Sequence, residues 1–163
     1  MTQPPRQLLS LWDYGWLDHN EFLLPPCPSP QEVVAAYLRS NSFGTSFVGP
    51  NLDQVKDLHG PFRRELIATT DFQFVNASEF HDQVQAIRHP KGFSEPASDE
   101  QWQGVELLTS ELEKRYSWII RLRLTDDNVE KFHDWGFVLT IFQEFLLANP
   151  NSEEVSRLVF GYD

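Results

Sequence analysis

Cysteine occurs once in the 163 residues, at Cys27. A single thiol closes no intramolecular disulfide and builds no thiolate zinc site, so the fold has to rest on its own core. No apolar run approaches the ~20 residues of a membrane-spanning helix. The opening Met1-Thr2-Gln3-Pro4-Pro5-Arg6 does not lead into a long apolar stretch, so no secretory signal is expected and a cytoplasmic location is. Cations are scarce: 13 Lys and Arg stand against 24 Asp and Glu, a formal net charge of −11. Such a field repels phosphate backbones and anionic bilayers, which disfavours nucleic acid and membrane surfaces as partners.

Catalytic signatures are missing as well. The histidines His19, His59, His81, His89 and His133 form no His-x-x-x-His pair. Gly44-Thr45-Ser46-Phe47-Val48-Gly49 lacks the Lys-Ser/Thr of a phosphate-binding loop, and no Gly-x-Gly-x-x-Gly or Gly-x-Ser-x-Gly occurs. Cys27 lies between prolines without a readable histidine partner, so it reads as structural rather than nucleophilic. No metal or organic cofactor is expected.

Apolar material is plentiful. Hydrophobic residues make up 40% of the chain and aromatics 13%, which excludes disorder and suits one domain over 1–163. Residues 1–24 are ambiguous between a short helix and paired strands. Pro25 to Pro30 then interrupts regular structure. Three helix starts carry capping patterns: Ser29 with Pro30 and Glu32, Asn76 with Glu79, and Ser98 with Gln101. Leu52, Val55 and Leu58 suggest a helical turn that His59-Gly60-Pro61 ends, and Arg64 to Ala68 and Phe72 to Val75 suggest short strands.

Trp118 to Leu124 is the clearest strand. Trp118, Ile120, Leu122 and Leu124 alternate with Ser117, Ile119, Arg121 and Arg123, the pattern of a sheet covered on one side. Arg121 and Arg123 form a stripe that could hold an anion, although a solvated face or pairing across strands explains it better. A helical pattern starts after Thr125 with Val129 and Phe132, and its apolar spacing resumes through Val138, Leu139, Phe142, Phe145 and Leu146. Val155 to Phe160 reads as a last strand. The fold class is therefore α+β, a single domain with a short mixed or antiparallel sheet packed against several amphipathic helices.

The functional expectation follows from charge and aromatics. Residues 125–163 hold 8 acidic and 2 basic side chains, net −6. Asp126, Asp127, Glu130 and Asp134 would share one side of a helix begun at Thr125, with Glu144, Glu153 and Glu154 as further acids. Trp12, Tyr14 and Trp16 interleave with Asp13 and Asp18, a composition suited to an interface. Together they point to a non-enzymatic interaction domain offering an acidic face to a basic protein partner, as an immunity-type or antitoxin-type inhibitor would. Solubility alone is the competing explanation for the charge. Two alternatives stand beside it. One is a ligand-binding protein or enzyme whose site is assembled from Asp18, His19, Glu21, His133 and Asp134. The other is a subunit of a larger assembly.

Overall fold

The structure, a computed structural model, describes residues 6–11, 15–44, 47, 57–89, 96–124, 127–133 and 141–162. Six strands form one antiparallel sheet. In chain order they are β1 (Gln7–Ser10), β2 (Gly15–Leu23), β5 (Phe72–Val75), β6 (Trp118–Leu122), β7 (Ile141–Ala148) and β8 (Glu154–Tyr162), and in space β1-β2-β8-β7-β6-β5. A two-stranded ribbon, β3 (Leu58–His59) with β4 (Phe62–Arg63), lies apart from it. Among the described residues the α-helices are α1 (Pro30–Arg39), α2 (Ala77–Arg88) and α3 (Asp99–Arg115). Sheet and helices together make an α+β fold.

The helix starts are where the capping patterns place them. In α2 the Asn76 side chain accepts from the Glu79 N–H at 2.8 Å, and the Glu79 carboxylate accepts from the Asn76 N–H at 2.9 Å. Ser98 and Gln101 make the same reciprocal pair ahead of α3. At α1 only half of the box forms: Ser29 Oγ accepts from the Glu32 N–H at 3.3 Å, and Glu32 turns its carboxylate toward that hydroxyl.

The sheet is covered on both sides, a correction to the one-sided reading of Trp118 to Leu124. Ile120, Leu122 and Leu124 face α1, with Phe142, Leu146, Val155 and Val159 on the neighbouring strands. Ile119 faces the other way and packs with α2 and α3 over Leu17, Phe145, Leu147, Leu158 and Phe160. Arg121 and Arg123 sit beyond that helical cover. They reach Gln143 Oε1 at 3.4 Å and the Thr70 carbonyl at 3.1 Å, so these partners are neutral oxygens.

Two-sided burial also explains the largest misreading. The expected helix through Phe142, Phe145 and Leu146 is strand β7. An interior strand shows apolar residues on both faces, so the spacing of Phe142, Phe145 and Leu146 does not separate a helix from a strand. Residues 127–133 contain a single 3₁₀ turn, Val129–Lys131, after which Phe132 is extended. The expected strand at Arg64 begins instead as a 3₁₀ turn, Arg64–Leu66. Leu58, expected in a helical turn, belongs to β3, while Leu52 and Val55 lie outside the described residues. The ambiguous N-terminus is the hairpin β1–β2, registered Leu9↔Leu17 and Ser10↔Trp16.

Two close approaches fix glycine. Gly60 turns the β3–β4 ribbon at φ +56, and a Cβ there would lie 2.5 Å from the Phe142 ring. Gly161 lies opposite Trp16 across β2 and β8, and a Cβ would lie 2.2 Å from the indole. Trp16 is accordingly half-buried, stacked on Phe47 at 6.2 Å between centroids, and serves the α1-side core.

Candidate functional site

The described structure gathers titratable side chains in one place, on the α1 side of the sheet. Asp18 on β2 and Glu144 on β7 both lie opposite Val159 of β8, and strand alternation points all three toward α1. Arg157, two residues before Val159, points the same way. Asp18 and Glu144 are fully buried and Arg157 nearly so.

Glu144 is the hub. Tyr37 of α1 donates its hydroxyl to Oε1 at 2.5 Å, and His59 of β3 bonds Oε2 through Nε2. The Gly44 N–H donates to His59 Nδ1 at 3.2 Å. Nδ1 therefore carries no proton, and Nε2–H is the donor to Glu144. Arg157 donates to Tyr37 Oη at 3.2 Å and to the Ser42 carbonyl, with its guanidinium over the Phe47 ring at 4.9 Å. Asp18 accepts from Arg6, a residue just before β1.

Electrostatics follow this geometry. Burial works to raise the Glu144 carboxyl, but His59, Arg157 and Tyr37 outweigh it and hold the group below its ordinary range. Burial, reinforced by the neighbouring Glu144 charge, pushes the Tyr37 hydroxyl well up. Burial acts to lower Arg157, and Tyr37, Glu144 and Asp18 together overcome it. The two carboxylates are balanced by two guanidiniums.

Chemically the cluster is closed. Neither nitrogen of His59 is open to take a proton from a substrate, because Nδ1 is occupied by Gly44 and Nε2 by Glu144. Its effect is architectural: it ties the chain at Ser42, Gly44 and His59 to the sheet.

The residues of the assembled-site alternative do not converge. Asp18 and His19 are consecutive in β2 and point to opposite faces. His19 bonds Ser156 Oγ at 2.8 Å on the α2–α3 side, and burial lowers its pKa. Glu21 on that side accepts from Arg115 at 2.5 Å. His133 reaches the Gly60 carbonyl at 3.2 Å, and Asp134 lies outside the described residues. Among the described residues no three His, Cys, Asp or Glu side chains form a group able to hold a metal ion. Cys27 is buried, with its thiol against the Pro25 carbonyl at 3.1 Å, and burial pushes its pKa up.

The interaction residues divide differently from expectation. Asp127 and Glu130 are exposed, as is Glu153. Glu144 is not at the surface at all, and Glu154 is held by Arg115 at 3.0 Å. The helical stripe that was to align Asp127 and Glu130 is replaced by the 3₁₀ turn, in which Lys131 pairs with Asp71 at 2.8 Å. Trp12, Tyr14, Asp126 and Asp134 lie outside the described residues.

Further exposed acids lie on α2 and α3. Glu79 and Asp82 of α2 and Glu100, Glu106 and Glu111 of α3 are exposed, while Phe80, Val84, Ile87, Trp102, Val105 and Leu112 turn inward. Arg88, the basic residue of α2, is engaged with Asp99. Lys114 and Arg115 lie at the far end of α3, where they complement the helix dipole.

The buried cluster did leave a trace in the sequence. Glu144 sits inside Ile141–Ala148 and Arg157 inside Val155–Phe160. A lone charge within an apolar strand announces a buried partner of opposite sign. Tyr37, Ser42 and His59 carried no comparable signal.

Comparison with protein-family models, with curated proteins and with solved structures finds no match to this chain. No helix of the described residues is long and apolar enough to cross a membrane.

Proposed function

We propose that this protein is a non-enzymatic interaction domain that presents an acidic surface to a basic protein partner. The observation that carries the reading is the outer face of α2 and α3, where Glu79, Asp82, Glu100, Glu106 and Glu111 are exposed along two adjacent helices. Same-sign charge on a rigid layer speeds capture of an oppositely charged partner and repels nucleic acid and anionic lipid. The closed state of the Glu144 cluster supports the non-enzymatic half. An inhibitor of immunity or antitoxin type is the form this takes when the basic partner is a toxin.

The test compares the wild-type chain with Asp82→Asn/Glu100→Gln/Glu106→Gln/Glu111→Gln as baits in extract of the native host. A basic protein should be held by wild type, released by salt, and reduced about tenfold or more on the variant. Equal capture by both baits, or capture indifferent to salt, refutes the reading. An unchanged thermal transition shows that the substitutions spare the fold.

A further inference from the structure

The sheet ends at β5. No described strand pairs with its outer side, and Phe74 in its middle is 50% exposed. Beside that edge, between β5 and the first turns of α1, lies a groove of about 440 Å³ lined by Val34, Ala35, Phe72, Phe74 and Ile120, with Glu32 its charged described lining residue. This site is separate from the acidic helical layer, which covers the opposite face.

The backbone direction of β5 can be read from its pairing. Asp71 accepts from the Arg123 N–H at 2.7 Å, so its carbonyl points toward β6. Alternation assigns Gln73 and Val75 to that inward set. The Phe72 and Phe74 carbonyls and the Phe74 N–H therefore point outward along the open edge. The Phe72 N–H is spent on the Thr69 carbonyl. Free donor and acceptor groups at a sheet edge are a template for an added strand, and a neighbouring pocket supplies side-chain selectivity.

We infer that β5 and the α1 groove bind an extended segment of a partner protein as an additional strand, with an apolar side chain entering beside Phe72 and Phe74 and a Lys or Arg on the same face meeting Glu32. Charge favours this occupant. Glu32 is exposed, and Arg123, the nearby cation, is held on the Thr70 carbonyl. A second copy of the chain would bring its own Glu32 and a net charge of −11 to the same edge. Successive side chains of a strand alternate faces, so the recognised pattern is apolar at one position and basic two positions away.

Phage-displayed random linear peptides, panned on the full chain, test the inference. Enriched peptides should share that apolar-x-basic pattern. Phe74→Ala should weaken them by about tenfold through loss of the aromatic wall. Phe74→Pro should weaken them by about a further fivefold, because it also removes the outward N–H. Proline is tolerated where a strand's N–H faces solvent. Glu32→Arg, on the exposed side of a helix, should cost about fivefold and abolish the basic preference, and it keeps the test decisive if the proline variant folds poorly. The four-site α2–α3 variant should bind the peptides unchanged, so the two interaction readings fail independently. The inference is overturned if no peptide is enriched over panning on Phe74→Pro, or if enriched peptides bind all three variants equally. A concentration-dependent dimer lost in Phe74→Ala would also overturn it, by assigning the edge to a second copy.

Discussion

On the α2–α3 side of the sheet, Leu17, Phe145, Leu147, Leu158 and Phe160 meet two helices with reciprocal caps. Among the described residues no charged side chain is buried in that core; its buried Ser156 and Thr109 are bonded close by, and the Trp102 indole N–H and Tyr116 hydroxyl are buried without a described partner. On the α1 side the same strands carry Asp18, Glu144 and Arg157, all buried. The cover explains the difference. Helices satisfy their own backbone groups, so two of them cap a sheet with side chains alone. Among the described residues the α1 side has one α-helix plus the chain at Ser42 and Gly44 and the ribbon strand that carries His59, and the Ser42 carbonyl and Gly44 N–H need partners there. Arg157 and His59 supply those partners, and Glu144 balances the Arg157 charge.

Breaking the cluster should therefore cost more than opening a cavity on the other side. Glu144→Leu leaves Arg157 a poorly compensated buried charge and removes acceptors from Tyr37 and His59, at a cost of about 3–5 kcal/mol in urea unfolding. Glu144→Leu with Arg157→Met should recover part of that loss, because the uncompensated charge goes too. Leu158→Ala, at the residue next to Arg157 but on the apolar side, should cost about 2–5 kcal/mol with no rescue by a polar substitution. A double variant no more stable than Glu144→Leu alone would show that orphaned backbone groups, not charge, dominate the α1 side.

The same contrast governs what could be read from the chain. Capping is local, so Ser29, Asn76 and Ser98 disclosed the three helix starts. The partners of the cluster are 85, 107 and 120 residues apart, and no window of sequence holds them together. β7 escaped because central strands lose the alternation that betrays an edge strand or a half-exposed one. Acid counts do not report exposure, for a related reason. The C-terminal quarter is the most acidic stretch of sequence, yet Glu144 is buried and Glu154 is paired, whereas α2 and α3 place their acids outward by helical periodicity.

A pH series should separate the two faces with a smaller effect. Burial holds the His19 pKa below 6.5, so the folded chain takes up that proton less readily than the unfolded one. The stability it contributes is complete above 6.5 and is lost as pH falls below that value. Glu144 is held below 4.5, so its contribution is complete above 4.5 and is lost as pH falls through its lower folded value. Thermal melts should thus lose stability in two successive windows. His19→Gln should flatten the upper one and Glu144→Gln the lower. If Glu144→Gln left the acid limb unchanged, the carboxylate would not be charged in the folded state.

The smallest expected effect concerns the caps. Ser98→Ala orphans the Gln101 N–H, while the backbone N–H of position 98 still donates to the Gln101 side chain. Ser29→Ala likewise orphans the Glu32 N–H; Glu32 does not return a bond to the Ser29 backbone, and Pro30 pre-sets the first turn of α1. Cap removal costs about 0.5–2 kcal/mol, so Ser98→Ala belongs toward the upper end and Ser29→Ala toward the lower. A second contrast follows at the third helical position. Gln101→Ala should cost a few tenths of a kcal/mol by loss of its back-bond, on the order of other weak helix side-chain terms, while Glu32→Ala should lie within error in urea unfolding. Equal losses for Ser29→Ala and Ser98→Ala would mean that Pro30 adds no pre-organisation to α1 and that one N-cap acceptor accounts for each helix start.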